Sequence, residues 1–540
     1  MSNPTSAREH FAAWRERTRV NAWTADPHFR SLVSAYGRDD EAEAFETFGA
    51  QVSTVLDELS RETNRDENLP TLRRYDGQGN RTEQIVFHPA YHELGRAVYA
   101  SGVMSRYAEA GRQFGTLGLT YLYSQNGEAG HACPLACTAG MIRILQQAGG
   151  HEAWLERLYD PNYDTHFHAS QFLTEVQGGS DVGANAVVAT DHGDGTWRLR
   201  GEKWFCSVID AQLFLVTART DPDASGTRGV GAFVVPRELD GGVNDFVVRQ
   251  LKYKLGTRSM ASAEVDFNGA VAYPVSDFRT VVEVVLNTSR LYNAICSSGM
   301  LQRAYREAHA YAHTRMAFGQ PIVHFPTVAR IIARLKAQSY ASRATTFFLT
   351  DLSDRIALGQ AGEREERAYR MLVNLNKFWT SVECTSGIRD AIEVLGGNGA
   401  IESFSVLPRL LRDSIVCEAW EGGHNVLCAQ VLKDCLKLGL HNDLFDLLQE
   451  RADLPALSEA RARFDALMAQ PPGVASMHMR AMAEELWVPV AACLLSWEAV
   501  QDGSDPLLPV IVDDLLTTGA RGYDPLADAG LADRLRALSA

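Results

Sequence analysis

The chain of 540 residues is longer than one hydrophobic core usually serves, so about two or three packed domains are expected. Apolar residues make up 46% and charged residues 22% of the sequence, which excludes a disordered or fibrous chain. The formal net charge of −15 has the wrong sign for a protein built to neutralise nucleic-acid phosphates.

The predicted elements begin with helices and then change to strands. Residues 1–165 are predicted to form an N-terminal helical domain. Within it, residues 52–59 and 91–108 carry apolar side chains at three- and four-residue spacing, with a polar, Gly-containing turn at residues 76–80 between them. Residues 166–275 are predicted to form an antiparallel β domain, because short Val-, Phe- and Thr-rich segments are separated there by turn signals.

Helical periodicity returns in residues 276–440, over stretches such as 297–311 and 328–349. This pattern is typical of a four-helix bundle, and residues 441–540 are predicted to add a helical tail. The expected fold class is therefore α+β, with helices before and after a β domain. No strand is followed by a G-x-G-x-x-G turn, which argues against a Rossmann nucleotide site.

The cysteines and the N-terminal residues indicate where the protein works. The nine cysteines are scattered and odd in number, as is typical of reduced thiols in a cytosolic protein. The first residues lack an apolar leader, and no run of about 18 apolar residues occurs in the sequence. We therefore expect a cytoplasmic protein that does not enter a membrane.

Two motifs in the β domain are candidates for cofactor binding. In residues 172–181, FLTEVQGGSD, paired glycines let the backbone approach a ligand closely, with Ser180 beside them. In residues 201–207, GEKWFCS, Phe205 and Ser207 share one strand face, so one can cover a flat ring while the other hydrogen-bonds to its edge. The alternative interpretations are a plain turn and ordinary sheet core.

Two motifs in the helical half are candidates as well. Arg315 and Phe318 follow a long helix, where they could bind a pyrophosphate and an adenine, or the arginine could satisfy the helix C-terminus. Residues 393–399, EVLGGNG, form a Gly-rich helix end. Further on, Glu421 follows Trp420 and precedes two glycines, so it could be a general base or an acid that opens the next helix.

Metal binding is not predicted. His88 and His92 are four residues apart, but Pro89 lies between them and no H-E-x-x-H motif is present, so a structural role is expected. Cys133 and Cys137 have no second pair of ligands nearby, and we expect them to pack on one helix.

The motifs, taken in this order, resemble those of the acyl-CoA dehydrogenase superfamily over residues 90–440. Residues 87–92, Gln177 with the glycines after it, and the tail of about a hundred residues are similar to the AidB branch, the alkylation-response flavoproteins. The resemblance implies FAD as cofactor. It also implies a homotetramer, because FAD sites of this kind are shared between subunits.

The resemblance further implies the site residues. Glu421 would be the catalytic base that removes the α-proton of an acyl-CoA thioester as the β-hydrogen leaves as hydride to flavin N5. Substrate contacts are implied at Ser180, Ser289, Arg290, Trp420 and Gly422. Cofactor contacts are implied at Phe172, Leu173, Thr174, Gly179, Ser180, Phe205, Cys206, Ser207, Arg315, Phe318, Glu393, Val394, Leu395, Gly396, Gly397, Gly423 and Asn425. Cys206 is included although strand alternation turns its side chain away from the face of Phe205.

The predicted function is acyl-CoA dehydrogenation, with an electron-transfer flavoprotein as the expected electron acceptor. The alternative is an AidB-like, DNA-associated protective flavoprotein with weak or no turnover. DNA binding is disfavoured because residues 441–540 contain 7 Arg and no Lys against 16 Asp and Glu. A flavin-dependent oxygenase on the same fold is a third candidate, but it would not need Glu421 as an α-proton base.

Overall fold

Helices form where apolar residues recur at helical spacing, and strands form where they alternate. The computed structural model describes residues 7–520 and 522–540, so the first six residues of the predicted N-terminal domain and residue 521 of the predicted tail lie outside the described residues. The α-helices are α1 (Ala7–Thr18), α2 (Pro27–Ala35), α3 (Ala42–Val52), α4 (Val55–Thr63), α5 (Pro89–Ala100), α6 (Gln113–Ser124), α7 (Ala129–Ala148), α8 (Glu152–Tyr159), α9 (Phe278–Thr280), α10 (Asn287–Thr314), α11 (Pro326–Ala357), α12 (Glu363–Leu395), α13 (Leu407–Ala419), α14 (His424–Leu438), α15 (Leu440–Gln449), α16 (Pro455–Met468), α17 (Pro472–Glu498), α18 (Leu508–Thr518) and α19 (Leu531–Ser539).

The main strands lie between α8 and α9. The strands are β1 (Thr71–Tyr75), β2 (Arg81–Val86), β3 (Ala169–Phe172), β4 (Val188–Asp191), β5 (Trp197–Ser207), β6 (Leu213–Arg219), β7 (Val230–Pro236), β8 (Glu238–Leu239), β9 (Gly242–Val243), β10 (Phe246–Leu251), β11 (Ser262–Asp277), β12 (Met316–Ala317) and β13 (Gln320–Pro321). The predicted order of helices, a β region and helices is confirmed.

The chain divides into two units that cut across the predicted N-terminal domain. Unit 1 comprises the described residues of Met1–Asp57 together with Ala110–Gly127 and Asn293–Ala540, and unit 2 comprises Glu58–Glu109 and Glu128–Tyr292. The bounds of the four predicted domains stay predictions.

Unit 2 contains a seven-stranded sheet in the order β10-β11-β5-β4-β6-β3, with β7 paired to both β11 and β6. The sheet is mixed rather than wholly antiparallel, because β3 and β4 run parallel to β6. The chain between β3 and β6 passes through β4 and β5, a connection long enough for parallel pairing. Turn signals alone do not reveal such a crossover.

Residues 71–86 differ from the helical prediction for the N-terminal region. β1 and β2 pair antiparallel around the predicted polar turn, forming a hairpin. Oδ1 of Asp76 accepts the backbone N–H groups of Gln78 at 2.8 Å and Asn80 at 2.9 Å, which closes the turn. Exposure along β1 alternates from residue to residue, so the local period is two rather than 3.6.

Long helices form the core of unit 1. α11 packs against α12 and α17, and α12 also packs against α13, α14 and α15. Leu301, Leu335 and Ile388 on α10, α11 and α12 are fully buried in one hydrophobic cluster. The predicted tail supplies α15–α19, and Leu444, Leu447 and Leu448 are buried in α15. The tail therefore packs on the bundle within the same unit.

A buried ionic network ties the tail to the rest of unit 1. Arg343 of α11 is fully buried and donates to Oε1 of Gln302 at 2.6 Å and to Nδ1 of His28 at 3.1 Å. Its guanidinium also lies 3.5 Å from Oδ2 of Asp26. Nε2 of His28 in turn lies 2.7 Å from Oε2 of Glu498 in α17. The network thus links α2, α11 and α17.

Within residues 7–520 and 522–540, none of the helices is long and apolar enough to cross a lipid bilayer.

Candidate active site

The predicted site residues form two sets, one in each unit. The set in unit 2 consists of Phe172, Leu173, Thr174, Gly179, Ser180, Phe205, Cys206, Ser207, Ser289 and Arg290. The set in unit 1 consists of Arg315, Phe318, Glu393, Val394, Leu395, Gly396, Gly397, Trp420, Glu421, Gly422, Gly423 and Asn425.

The Gly-rich loop after β3 folds back on itself. Backbone hydrogen bonds join Glu175 and Gly178, which turns the chain sharply. A Cβ atom added to Gly179 would lie 2.6 Å from Oγ1 of Thr174, so this close approach requires glycine. Ser180 follows in an exposed position. The loop therefore brings Thr174 and Gly179 together, and their contact with a cofactor stays a prediction.

A buried ion pair, for which the sequence predicted no role, holds this loop against β5. Oε1 of Glu175 lies 2.7 Å from Nζ of Lys203, and their side chains are 2% and 0% exposed. Nζ of Lys203 also donates to the Leu173 carbonyl at 3.1 Å, while the Glu175 carboxylate accepts the N–H groups of Ala186 and Val187. Burial acts to raise the pKa of Glu175, but the charge and hydrogen bond of Lys203 leave it below its ordinary value. The sequence signal for this pair was that the acidic Glu175 and the basic Lys203 lie inside the two motifs of the predicted β domain.

At residues 205–207, the side of β5 that carries Phe205 is open, whereas the opposite side is packed. Phe205 is 54% exposed and Ser207 is half-buried, while Cys206 between them is fully buried. Burial raises the pKa of the Cys206 thiol, so this cysteine is not a reactive thiolate. Oγ of Ser207 lies 2.9 Å from Oγ of Ser262, and Nζ of Lys252 lies 5.0 Å from the Phe205 ring centroid. An exposed ring and a hydroxyl thus share one face.

The two polar substrate candidates of α10 are buried in unit 2. Ser289 is 1% exposed and donates to Oε1 of Gln171 at 3.3 Å. Arg290 is 8% exposed and donates to Oδ1 of Asn287 at 3.0 Å.

A short hairpin follows α10 in unit 1. Phe318 and Gly319 form its two-residue turn, with φ angles of 49° and 86°, as expected for a type I′ turn. The Phe318 residue is 98% exposed. Its predicted contact with an adenine stays a prediction.

A cavity of about 540 Å³ in unit 1 brings together the other candidates for the AMP half of FAD. Its walls include Arg315, Glu393, Val394, Leu395, Gly396 and Gly397, but not Phe318. A Cβ atom added at Gly396 or Gly397 would meet no atom within 4 Å, so the backbone is open to a ligand. A guanidinium, an open glycine backbone and an apolar wall fit a pyrophosphate and an adenine, although Glu393 adds a carboxylate.

Glu421 lies in the short connection between α13 and α14. Its φ angle is 59°, in the left-handed region, and Gly422 follows with a φ angle of 101°. Such a backbone costs a non-glycine residue about 1–3 kcal/mol, and residues of this kind cluster at functional sites. Trp420, Glu421 and Gly423 are half-buried, and Asn425 is exposed on the first turn of α14.

The histidines and cysteines considered for metal binding have other contacts. Nδ1 of His88 accepts the Ala90 N–H at 3.2 Å and so caps α5, and Nδ1 of His92 lies 3.0 Å from the Tyr163 hydroxyl. The sulfur atoms of Cys133 and Cys137 lie 3.9 Å apart on α7. Across residues 7–520 and 522–540, no group of three or more His, Cys, Asp or Glu could hold a metal ion.

Comparison with known proteins identifies the family. The AidB N-terminal domain of adaptive response proteins matches residues 14–165, and the acyl-CoA dehydrogenase middle and C-terminal domains match residues 170–270 and 278–436. The chain is 32% identical over 452 residues to AidB of Escherichia coli strain K12, covering 80% of each chain. The chain belongs to the acyl-CoA dehydrogenase family. The N-terminal match shows that it is AidB-like, as the motifs indicated.

Solved structures of the acyl-CoA dehydrogenase family have the same fold. ACDH-11 of Caenorhabditis elegans, in complex with C11-CoA, is 25% identical with a TM-score of 0.85, over 96% of this chain and 94% of that chain. An acyl-CoA dehydrogenase of Bacillus anthracis complexed with FAD has a TM-score of 0.69 at 16% identity, over 95% and 91% of the two chains. The predicted fold class and FAD as cofactor are confirmed.

Proposed function

We propose that the protein catalyses α,β-dehydrogenation of an acyl-CoA thioester, with Glu421 as the general base. The observation that supports this most is the carboxylate of Glu421 at a left-handed backbone position between α13 and α14. The adjoining Trp420 and Gly422 complete the aromatic-Glu-Gly motif of the family. A strained, non-glycine residue at this position is easiest to explain if its side chain has a chemical task.

The chain's own groups would bind, orient and deprotonate the substrate. Hydrogen bonds to the thioester carbonyl, one of them from the Glu421 backbone N–H, would stabilise the enolate that develops as Glu421 takes the α-proton. Ser289, Arg290 and Trp420 would contact the substrate. When bound, FAD accepts the β-hydrogen as hydride.

Both sets of cofactor residues would hold FAD. Thr174 and Ser207 would hydrogen-bond to the flavin and Phe205 would cover its ring. Arg315 and the cavity wall at residues 393–397 would bind the AMP half across a subunit contact of a homotetramer. We further propose a cytoplasmic location and an electron-transfer flavoprotein as the electron acceptor.

DNA binding is the weaker candidate, because the arginines of the described part of the tail already have partners. Arg451 lies 4.7 Å from the ring centroids of Phe348 and Trp497. The other arginines form ion pairs inside the tail, namely Arg461–Asp446, Arg463–Glu485, Arg480–Glu484, Arg534–Asp514 and Arg536–Asp533. A surface that binds duplex DNA needs cations available to phosphates.

Anaerobic flavin reduction tests the proposal. Purified, FAD-loaded protein is mixed with a panel of acyl-CoA thioesters of different chain lengths, and the loss of the visible flavin absorbance is followed. We expect at least one thioester to bleach the flavin, and Glu421→Gln to slow this step by about 10²–10⁴-fold, the usual contribution of a general base.

Glu402→Gln is the matched control, because the Glu402 side chain is 58% exposed and lies outside the 420–425 loop. The flavin of this variant should be reduced as fast as that of the wild type. If every thioester leaves the flavin oxidised, or if Glu421→Gln is bleached at the wild-type rate, the assignment of Glu421 as the base is wrong.

A further inference from the structure

We propose that Lys377 of α12 positions the catalytic loop, by joining the two ends of the segment that carries Glu421. The proposal rests on the dehydrogenase function proposed above. It concerns a residue that lies 44 positions before Glu421 in the sequence.

Lys377 reaches the backbone on both sides of Glu421. Its Nζ donates to the carbonyl of Glu418 at 2.9 Å and to the carbonyl of Gly422 at 3.0 Å. Glu418 lies in the last turn of α13, where carbonyl groups have no partner within the helix. One ammonium group therefore binds the end of α13 and the far side of the loop at the same time.

Two further contacts hold the same segment. Nδ2 of Asn293 donates to the Cys417 carbonyl at 3.0 Å, and Nε2 of His424 lies 3.0 Å from Oε2 of Glu418. Burial acts to raise the pKa of Glu418, but hydrogen bonds from His424 and Thr385 leave it below its ordinary value. Glu418 therefore stays ionised and keeps its contact with His424 across the loop.

The burial of Lys377 shows that this contact has a cost. The residue is 0% exposed, and removing an ammonium group from water is unfavourable unless its hydrogen bonds are well made. Glu421 meanwhile keeps a φ angle of 59°, which the surroundings must enforce. Without the two Lys377 hydrogen bonds the loop could relax, and a shift of about 1 Å at a reacting group can lower a rate by about 10²-fold.

Lys377→Met tests this idea, because methionine keeps most of the side-chain length and removes the donors. Lys377→Gln restores an N–H donor without the charge. Lys336→Met is the matched control, since Lys336 is 6% exposed in α11 of the same unit and lies 5.8 Å from the Tyr305 ring centroid. Each variant is compared with the wild type as the full-length, FAD-loaded protein.

The first measurement is the rate of anaerobic flavin reduction against acyl-CoA concentration. We expect Lys377→Met to lower the limiting rate by about 10²-fold while the half-saturating concentration changes less than about 3-fold, because only the position of the base is affected. Lys377→Gln should recover part of the rate. If Lys336→Met lowers the rate as much, the effect is general destabilisation and the proposal fails.

The second measurement needs no substrate. Amide hydrogen exchange of residues 417–424 should be at least about 10-fold faster in Lys377→Met, while exchange in α17 is unchanged, because only the loop loses its anchor. Unchanged exchange in this segment overturns the proposal. If none of the thioesters reduces the flavin of the wild type, the dehydrogenase function fails. The exchange result still decides whether Lys377 fixes the loop. Should Lys377→Met not fold, Lys377→Gln carries both measurements.

Discussion

Changing Glu175 to Gln would leave the ammonium group of Lys203 buried without its counter-charge. The Lys203 side chain is 0% exposed, and Oε1 of Glu175 lies 2.7 Å from its Nζ. Removing one partner of such a buried pair costs about 3–5 kcal/mol. The carboxylate also accepts the N–H groups of Ala186 and Val187, so the loop after β3 loses part of its support. We expect unit 2 to lose about 3–5 kcal/mol of unfolding free energy, and the protein to lose FAD more readily.

The assay is urea unfolding of wild type and variant, together with hydrogen exchange of the backbone amides in β5 and β6. Exchange is needed because a chain of two units does not have to unfold in a single step. Asp266→Asn is the matched control, since Asp266 pairs with Arg249 on the same sheet with side chains 33% and 43% exposed. An exposed pair of this kind contributes about 0.2–1 kcal/mol.

A double change of Glu175 to Leu and Lys203 to Met separates the pair from its surroundings. Replacing both charges by apolar groups is often close to neutral, so the double variant should be more stable than Glu175→Gln. Equal losses for Glu175→Gln and Asp266→Asn would refute the argument from burial. So would a double variant that is as unstable as the single one.

Two further predictions concern stability. His131 is fully buried and burial lowers its pKa to about 4 from 6.5. As the pH falls, the unfolded chain therefore binds this proton before the folded protein does. The contribution of His131 to the free energy of unfolding is complete above pH 6.5 and is lost as the pH falls towards 4, by about 3 kcal/mol in all. Melting temperatures measured across this range should fall more steeply in the wild type than in His131→Phe, and equal slopes would contradict the prediction. Arg343→Met should lower the free energy of unfolding of unit 1 in urea by about 3–5 kcal/mol, because Asp26 and His28 lose a buried partner. Exposed Arg480→Met should lower it by less than about 1 kcal/mol. Similar losses for the two variants would show that the buried network contributes little.

Much of the architecture followed from local pattern. Helical spacing predicted residues 297–311 and 328–349, which lie in α10 and α11, and two-residue alternation predicted that Phe205 and Cys206 point to opposite faces. The hairpin at residues 71–86 was missed because its short strands flank a turn that also suits a helix connection. The parallel pairing of β3 with β6 was missed because a crossover leaves no local signal.

The sequence by itself determined the broad order of helices, a β region and helices, the family motifs and the position of Glu421 next to Trp420 and Gly422. These features depend on neighbours along the chain, where spacing and turn chemistry act directly. Only the tertiary structure decided that Glu175 and Lys203 form a buried pair and that Lys377 reaches the backbone around Glu421. Burial and pairing of charges arise when distant segments pack together, and residue order alone does not specify which side chains then lose contact with water.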